Sequence, residues 1–382
     1  MKNMKTAVIT GFARSPFTPA VKGALRGVRP DELAAQVVKG LIAQTGIDPA
    51  SIEDLILGCA FPEGEQGLNM ARLVVMLSGL PQSVAGVTVN RFCGSSMQAI
   101  HMAAGAIATN AGDAFICAGV ESMSRVPMMG FNPMPHPGLF ERYPQAYISM
   151  GETAENVAVK YAIPRERQEA FALASQHRAA AAQKAGHFDA EIVGVKHDGG
   201  EVRADGCIRP DTTPHGLAAL KPAFDVKGSV TAGTSSPLTD GAAAVLVCSE
   251  DYARQHGLTG LARIRGMAVS GCDPAIMGIG PVPASRKALT RAGLSIADMD
   301  VTEVNEAFAA QSLAVLGELG LDPAKTNIDG GAIALGHPLG ASGARITGKA
   351  ASLLARGGGK FALATQCIGG GQGIATVLEA MA

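Results

Sequence analysis

The sequence predicts an α/β layer fold made of two similar halves, with a further segment inserted between them. Three observations carry this. Strand-like and helix-like stretches alternate at both ends of the chain, the pattern of stacked α and β layers. The same order of elements recurs at an offset near 247 residues. The stretch from about 121 to 242 has no counterpart in that repeat.

The elements follow in order. AVIT at 7–10 reads as a strand, with Ala262–Arg265 as its partner in the second copy. A helix ends at Gly46, and DPASIEDLILG then gives an acidic turn and a strand. Gly293 ends the matching helix, followed by SIADMDVTEVN. The strand VAGVTVN at 84–90 gives way at CGSS (93–96) to a helix leading to the strand AFICAGV at 114–120. LGASGA (339–344) opens the equivalent helix, leading to KFALATQ at 360–366. Within the insert, VPMMGFNPMPHPGLFERYPQAYISM at 126–150 is expected to be irregular, because proline removes donors and blocks helix propagation. Its methionines give it the character of a lid over a variable apolar ligand, although plain surface is the commoner fate of such a stretch. A helix is expected over Arg165–Ala185, started by Pro164. The expected organisation is 1–120 plus about 243–265 as one half, 121–242 as the insert, and 266–382 as the other half.

Composition excludes several classes. The chain has 382 residues, with 32 Lys+Arg against 33 Asp+Glu, so it has no general electrostatic footprint for nucleic acid or an anionic membrane. Apolar residues make up 47% and charged residues 17%, enough for a sizeable core. The 48 glycines and the absence of Trp favour close backbone packing. No apolar run is long enough to span a bilayer. The N-terminal stretch Met1–Gly11 carries neither a signal-peptide core nor an Arg-rich presequence. The seven cysteines are scattered and form no CxxC pair, which points to reduced thiols in the cytoplasm and to no metal site.

Three Gly-rich segments carry the chemistry. Cys93 sits where a strand becomes a helix, and a helix N-terminus is expected to lower a thiol pKa. A buried, inert cysteine is the competing reading, and the residues alone leave both open. His337, between Gly336 and Pro338, lies in the half that mirrors Cys93. A pseudo-two-fold would make the two face each other. His101 is about 12 Å further along the helix of Cys93, beyond reach of the thiol. Cys367 opens CIGGGQG, where bare glycine N–H groups can form an oxyanion hole. A phosphate loop is the rival, but GGGQG matches no nucleotide-binding pattern. Asn305, in NEAFAAQ, reads first as the N-cap of a helix beginning at Glu306. Two thiols and a histidine suit carbon–carbon bond making and breaking between thioesters. A hydrolase would need only one of the thiols.

These motifs, NRFCGSSMQA, AGVESMS, MGETAE, TAGTSSPLTDGAAA, NEAFA, DGGAIALGHPLGASGARI and CIGGGQG, resemble those of the thiolase family along the whole chain. The resemblance implies a five-layered αβαβα core from two duplicated halves with an inserted loop domain. It implies Cys93 as nucleophile, His337 as base, Cys367 as acid/base and Asn305 as the residue orienting a catalytic water. The amides of Cys93 and Gly369 would form an oxyanion hole. Ser236 would lie beside the pantetheine arm of coenzyme A, and Met150 near the acyl pocket. CGSSMQAIH, TAGTSS and GCDPAIMGIGPVPAS look like the 3-ketoacyl-CoA thiolases of fatty-acid β-oxidation, with acyl-CoA and CoA as substrates and no permanently bound cofactor. Ser149 stands where biosynthetic acetyl-CoA acetyltransferases usually carry His, whereas AGVESMS is closer to that branch. Asp329 stands where the family commonly has Asn. The alternatives are such an acetyltransferase, a β-ketoacyl synthase of the same fold, and an inactive assembly subunit. A homodimer or homotetramer, with a hydratase/dehydrogenase partner, would be in keeping with the family.

Overall fold

The computed structural model describes residues 4–381; Met1–Asn3, part of the N-terminal stretch considered above, and Ala382 lie outside the described residues. The first half contributes β1 (Ala7–Arg14), β2 (Asp54–Gly58), β3 (Ala85–Val89), β4 (Ala114–Ser122) and β5 (Thr239–Ser249). The second contributes β6 (Ala262–Gly271), β7 (Val301–Val304), β8 (Phe361–Ile368) and β9 (Gln372–Ala380). Their orders are β3-β2-β4-β5-β1 and β7-β8-β9-β6. In each, the strands equivalent to β2 and β4 run parallel and the following pairs antiparallel. Where the first half has β3, the second has a single bridge, Thr302 to Thr326. The sheets touch only where Val8 and Ile9 meet Arg263 and Ala262.

Period-two alternation places apolar residues on both faces of each sheet. On β4, Ile116 packs outward with the helices α1 (Pro30–Thr45) and α2 (Met70–Leu77). Its neighbours Phe115 and Cys117 pack inward on α3 (Ser95–Ala108) and α8 (Leu339–Gly357). On β8, Ala362 and Ala364 face the same two helices, while Leu363 faces α6 (Pro281–Ala292). The helices α3 and α8 therefore form a central layer between the sheets, giving the expected αβαβα stack. Glycine makes that layer thin: a Cβ at Gly343 would stand 2.3 Å from the Met97 backbone nitrogen. Both outer helices stop as expected, at Gly46 (φ 66°) and Gly293 (φ 69°) in the left-handed conformation that glycine adopts without strain.

The insert joins β4 to β5, and the same position in the second half is only the turn Gly369–Gly371. The expected limits at 120, 242 and 265 cut β4, β5 and β6. Sheet pairing puts all of β6 with β9, so Ala262–Arg265 goes with the second half rather than the first. Within the insert, α4 (Met150–Lys160) starts at a capping box of Ser149 and Glu152, and α5 spans Arg165–Lys184. The stretch 126–149 is less irregular than expected, since Pro137–Arg142 forms a short helix and Pro144–Tyr147 a 3₁₀ turn. Proline occupies the first turn of both, where its missing N–H does no harm. Buried ion pairs fasten the insert to the core. Arg14 on β1 meets Glu191 and Asp205, and Lys349 on α8 meets Glu191 and Asp329.

Candidate active site

Cys93 ends a tight turn between β3 and α3. Phe92 before it holds a left-handed φ of 43°, unusual for a bulky residue and a form of stored strain. Local bonds hold the turn in place. Phe92 N–H donates to Asn90 Oδ1 (2.8 Å), while Ser95 Oγ donates to the Phe92 carbonyl (2.6 Å) and accepts from Arg91 N–H (2.9 Å). From the other half, the Gln366 side-chain amide donates to the Cys93 carbonyl. The Cys93 thiol is buried, and burial pushes its pKa up to about 11, against the pull of the Gly369 N–H and its own N–H. This corrects the expectation of a lowered pKa: in the free protein the loss of water outweighs the helix N-terminus.

Cys367 lies at the end of β8, also buried, and its thiol is held well above the usual range first by burial and next by Cys93. The two thiols are close enough that charge on one disfavours charge on the other. His337 is buried in the turn before α8, with its backbone N–H donating to Thr239 Oγ1 (3.0 Å). Its Nδ1 is 2.5 Å from Ser342 Oγ. Burial, then the nearby Arg345, push its pKa down to about 3, so the ring is neutral at pH 7. No hydrogen bond among the described residues joins it to Cys93. Leu339, two residues on, packs in the same small cluster as Cys93, with Ala60 and Met123.

Asn305 follows β7 and is fully buried, with Nδ2 3.3 Å from His337 Nε2. It is no helix cap: the helix α7 (Ala309–Leu319) begins only after Phe308, because the NEAF segment first turns inward to hold Glu306. Its Oδ1 has no hydrogen-bond partner among the described residues. Ser236 donates through both N–H and Oγ to the Ala307 carbonyl (3.0 and 3.1 Å), fastening TSSPL to NEAF.

An apolar cavity of about 480 Å³ reaches Cys93. Gly369, Gly370, Leu339 and Met150 line it beside the thiol, and Met128, Met129 and Met134 of the insert contribute further lining. Glu63, the one charged residue on its wall, is taken up by the Phe131 N–H (2.7 Å). His337, Cys367, Asn305 and Ser236 do not line this cavity. No group of His, Cys, Asp or Glu among the described residues is arranged to hold a metal ion.

Several supporting residues escaped the sequence reading. Glu121 is buried and accepts from the N–H groups of Ala60 (2.8 Å), Phe61 (3.2 Å) and Gly340 (2.9 Å), joining the cavity wall to the start of α8. Asp240 binds the Ser124 N–H (2.9 Å) beside it. The signal available for both was an acid interrupting an apolar strand, in AGVES and LTDGAAAV. Asp329, singled out for replacing Asn, accepts from Arg356 and Lys349, and His187 lies 3.0 Å away.

Comparison with known proteins agrees with this architecture. Residues 7–251 match the thiolase N-terminal domain and residues 258–380 the thiolase C-terminal domain. The chain is 52% identical to a 3-ketoacyl-CoA thiolase of Shewanella frigidimarina, the match covering 98% of this chain and 100% of the relative. A 3-ketoacyl-CoA thiolase of Shewanella baltica matches with the same identity and coverage. The structure superposes on human mitochondrial 3-ketoacyl-CoA thiolase in complex with CoA with a TM-score of 0.92, at 40% identity over 100% of both chains. It superposes equally on the acetyl-CoA acetyltransferase of Bacillus anthracis, with a TM-score of 0.92 at 41% identity over 100% of both chains. With both domains matched in sequence and the fold matched from end to end, the chain belongs to the thiolase family.

Proposed function

We propose that this protein is a 3-ketoacyl-CoA thiolase, an acyltransferase that cleaves 3-ketoacyl-CoA with CoA to give acetyl-CoA and a shortened acyl-CoA. The observation that carries the reading is the pair of buried thiols, Cys93 and Cys367, near enough for charge on Cys93 to disfavour charge on Cys367, with Cys93 on the wall of an apolar cavity. One thiol suffices for hydrolysis. Two allow one sulfur to bond to carbon while the other handles a proton.

In the proposed sequence, neutral His337 takes the Cys93 proton as the sulfur attacks the 3-keto carbon. The bond between carbons 2 and 3 breaks, leaving the acyl group on Cys93 as a thioester. The acetyl-CoA carbanion collects a proton from Cys367. Incoming CoA gives its thiol proton to Cys367 and attacks the thioester, and the expelled Cys93 sulfur takes its proton back from His337. The Gly369 N–H beside the Cys93 thiol supports an oxyanion role for that amide. The partnerless Asn305 Oδ1 supports a role in holding a water, since an unpaired buried acceptor is costly. Ser236 and Met150 are assigned to the pantetheine and acyl sides.

CoA and acyl-CoA are substrates in this reading, and no cofactor stays bound. The free cysteines suit a cytoplasmic setting, and among the described residues no helix is long and apolar enough to cross a membrane. The outer strand β3, together with exposed Leu73, Met76 and Leu77 on α2, supports a homodimer or homotetramer. Association with a hydratase/dehydrogenase subunit remains part of the proposal on resemblance alone.

The Met-lined wall supports acyl chains longer than acetoacetyl. Each sheltered methylene contributes about 0.8 kcal/mol, partly offset by ordering the chain and the loop. Thiolysis kcat/KM is therefore expected to rise or hold from C4 to C8 substrates. A tenfold fall over that range would favour the acetoacetyl-CoA-forming acetyltransferase instead.

A further inference from the structure

Ser342 lies in the first turn of α8, five residues after His337, and is 1% exposed. We infer that Ser342 is a positioning residue that holds the His337 ring in the tautomer carrying its proton on Nδ1, leaving the Nε2 lone pair to accept a proton. The inference deepens the reading of His337 as the thiolase base and rests on it.

The Ser342 hydroxyl lies between Nδ1 and a backbone carbonyl. Ser342 Oγ is 2.5 Å from Nδ1 and 3.1 Å from the Pro338 carbonyl, one turn back. A hydroxyl has a single proton. Given to the Pro338 carbonyl, that proton leaves Oγ only as an acceptor toward the ring, so Nδ1 must be the donor. Asn305 Nδ2, a donor only, lies 3.3 Å from Nε2 and 3.5 Å from Nδ1, so it does not choose between the two nitrogens. The reverse tautomer would need the Ser342–Pro338 bond given up.

The consequence is chemical. Burial keeps the ring uncharged around neutral pH. Which nitrogen carries the proton then decides whether the ring can act as a base, and a partner on the other nitrogen is what sets it. The Ser342 hydroxyl is neutral, so it orients the ring without raising its basicity as a carboxylate would.

The direct test is the imidazole nitrogen spectrum of the full chain labelled with ¹⁵N-histidine. The His337 signals are identified by their loss in His337→Gln. The expected wild-type pattern has a protonated Nδ1 and an unprotonated, pyridine-like Nε2. A proton on Nε2 in the wild-type protein would overturn the inference, whatever any variant does. In Ser342→Ala the pattern should move toward a mixture of tautomers. In that variant kcat should fall roughly 10- to 100-fold, the range seen when a group orienting a histidine is lost, with KM little changed. Ser342→Thr should recover activity. Unaltered kcat and spectrum in Ser342→Ala would also overturn it. The spectrum is read on resting protein, so a chain that failed to cleave 3-ketoacyl-CoA would refute the function while leaving the tautomer measurable.

Discussion

The unusual electrostatic state of the site makes a sharp prediction about Cys93. With the thiol pushed up to about 11 and His337 down to about 3, the free protein holds a neutral thiol and a neutral imidazole, not a thiolate–imidazolium pair. At pH 7 roughly one Cys93 in 10⁴ is then ionised, against about three in a hundred for a free cysteine near 8.5. The greater nucleophilicity of the more basic thiolate recovers about tenfold of that deficit. Iodoacetamide should therefore alkylate Cys93 roughly 30-fold more slowly than free cysteine at pH 7. The rate should climb about tenfold per pH unit to beyond pH 9, since only the thiolate reacts. Replacing His337 by Gln should leave this profile nearly unchanged while cutting turnover by about 10²–10⁴, the usual contribution of a general base. Mass spectrometry of the Cys93 peptide against time and pH provides the assay. A plateau below pH 7 that disappears in His337→Gln would show a preformed ion pair and refute the argument from burial.

Two further outcomes follow from the same structure. Cys367→Ala should retain acylation of Cys93 by acetyl-CoA but lose about 10²–10⁴ in thiolysis, measured by release of acetyl-CoA; near-normal turnover would remove Cys367 from the mechanism. Arg14→Met leaves Asp205 without its buried partner and Glu191 with Lys349 alone, and should cost about 3–5 kcal/mol in urea unfolding. A loss under about 1 kcal/mol would mean that the insert is held to the core by other contacts.

Much of the fold was legible in the sequence because local signals and tertiary demands agree there. Gly46 and Gly293 end their helices for a backbone reason, and Pro164 opens α5 for another. The strand pairs at one offset gave the duplication, since each half must bury the same faces. The divisions between domains were less legible: nothing in the residues around 242 or 265 marks a break, because β5 and β6 run through those positions as unbroken strands. In the site, Cys93, His337 and Cys367 stood out because glycine and proline surround them. The direction of the Cys93 pKa did not, since it depends on how completely the other half closes over the thiol. Gln366 meets Cys93 across 273 residues of chain, and Ser342 is one serine in a helix until the His337 ring is seen beside it. Asn305 looked like a cap because NEAF scans as a helix start; the demand of buried Glu306 for partners on α5 and near Ile333 delays the helix by a turn.

The central claim is that Cys93 carries the acyl group between two thioesters. Incubating the protein with a 3-ketoacyl-CoA in the absence of free CoA, then digesting it at acidic pH for mass spectrometry, tests this most directly. The account predicts an acyl thioester on Cys93 whose length is that of the substrate less two carbons, absent in Cys93→Ser and discharged on addition of CoA. A stable adduct on Cys367, or no adduct in a protein that still turns over, would contradict it.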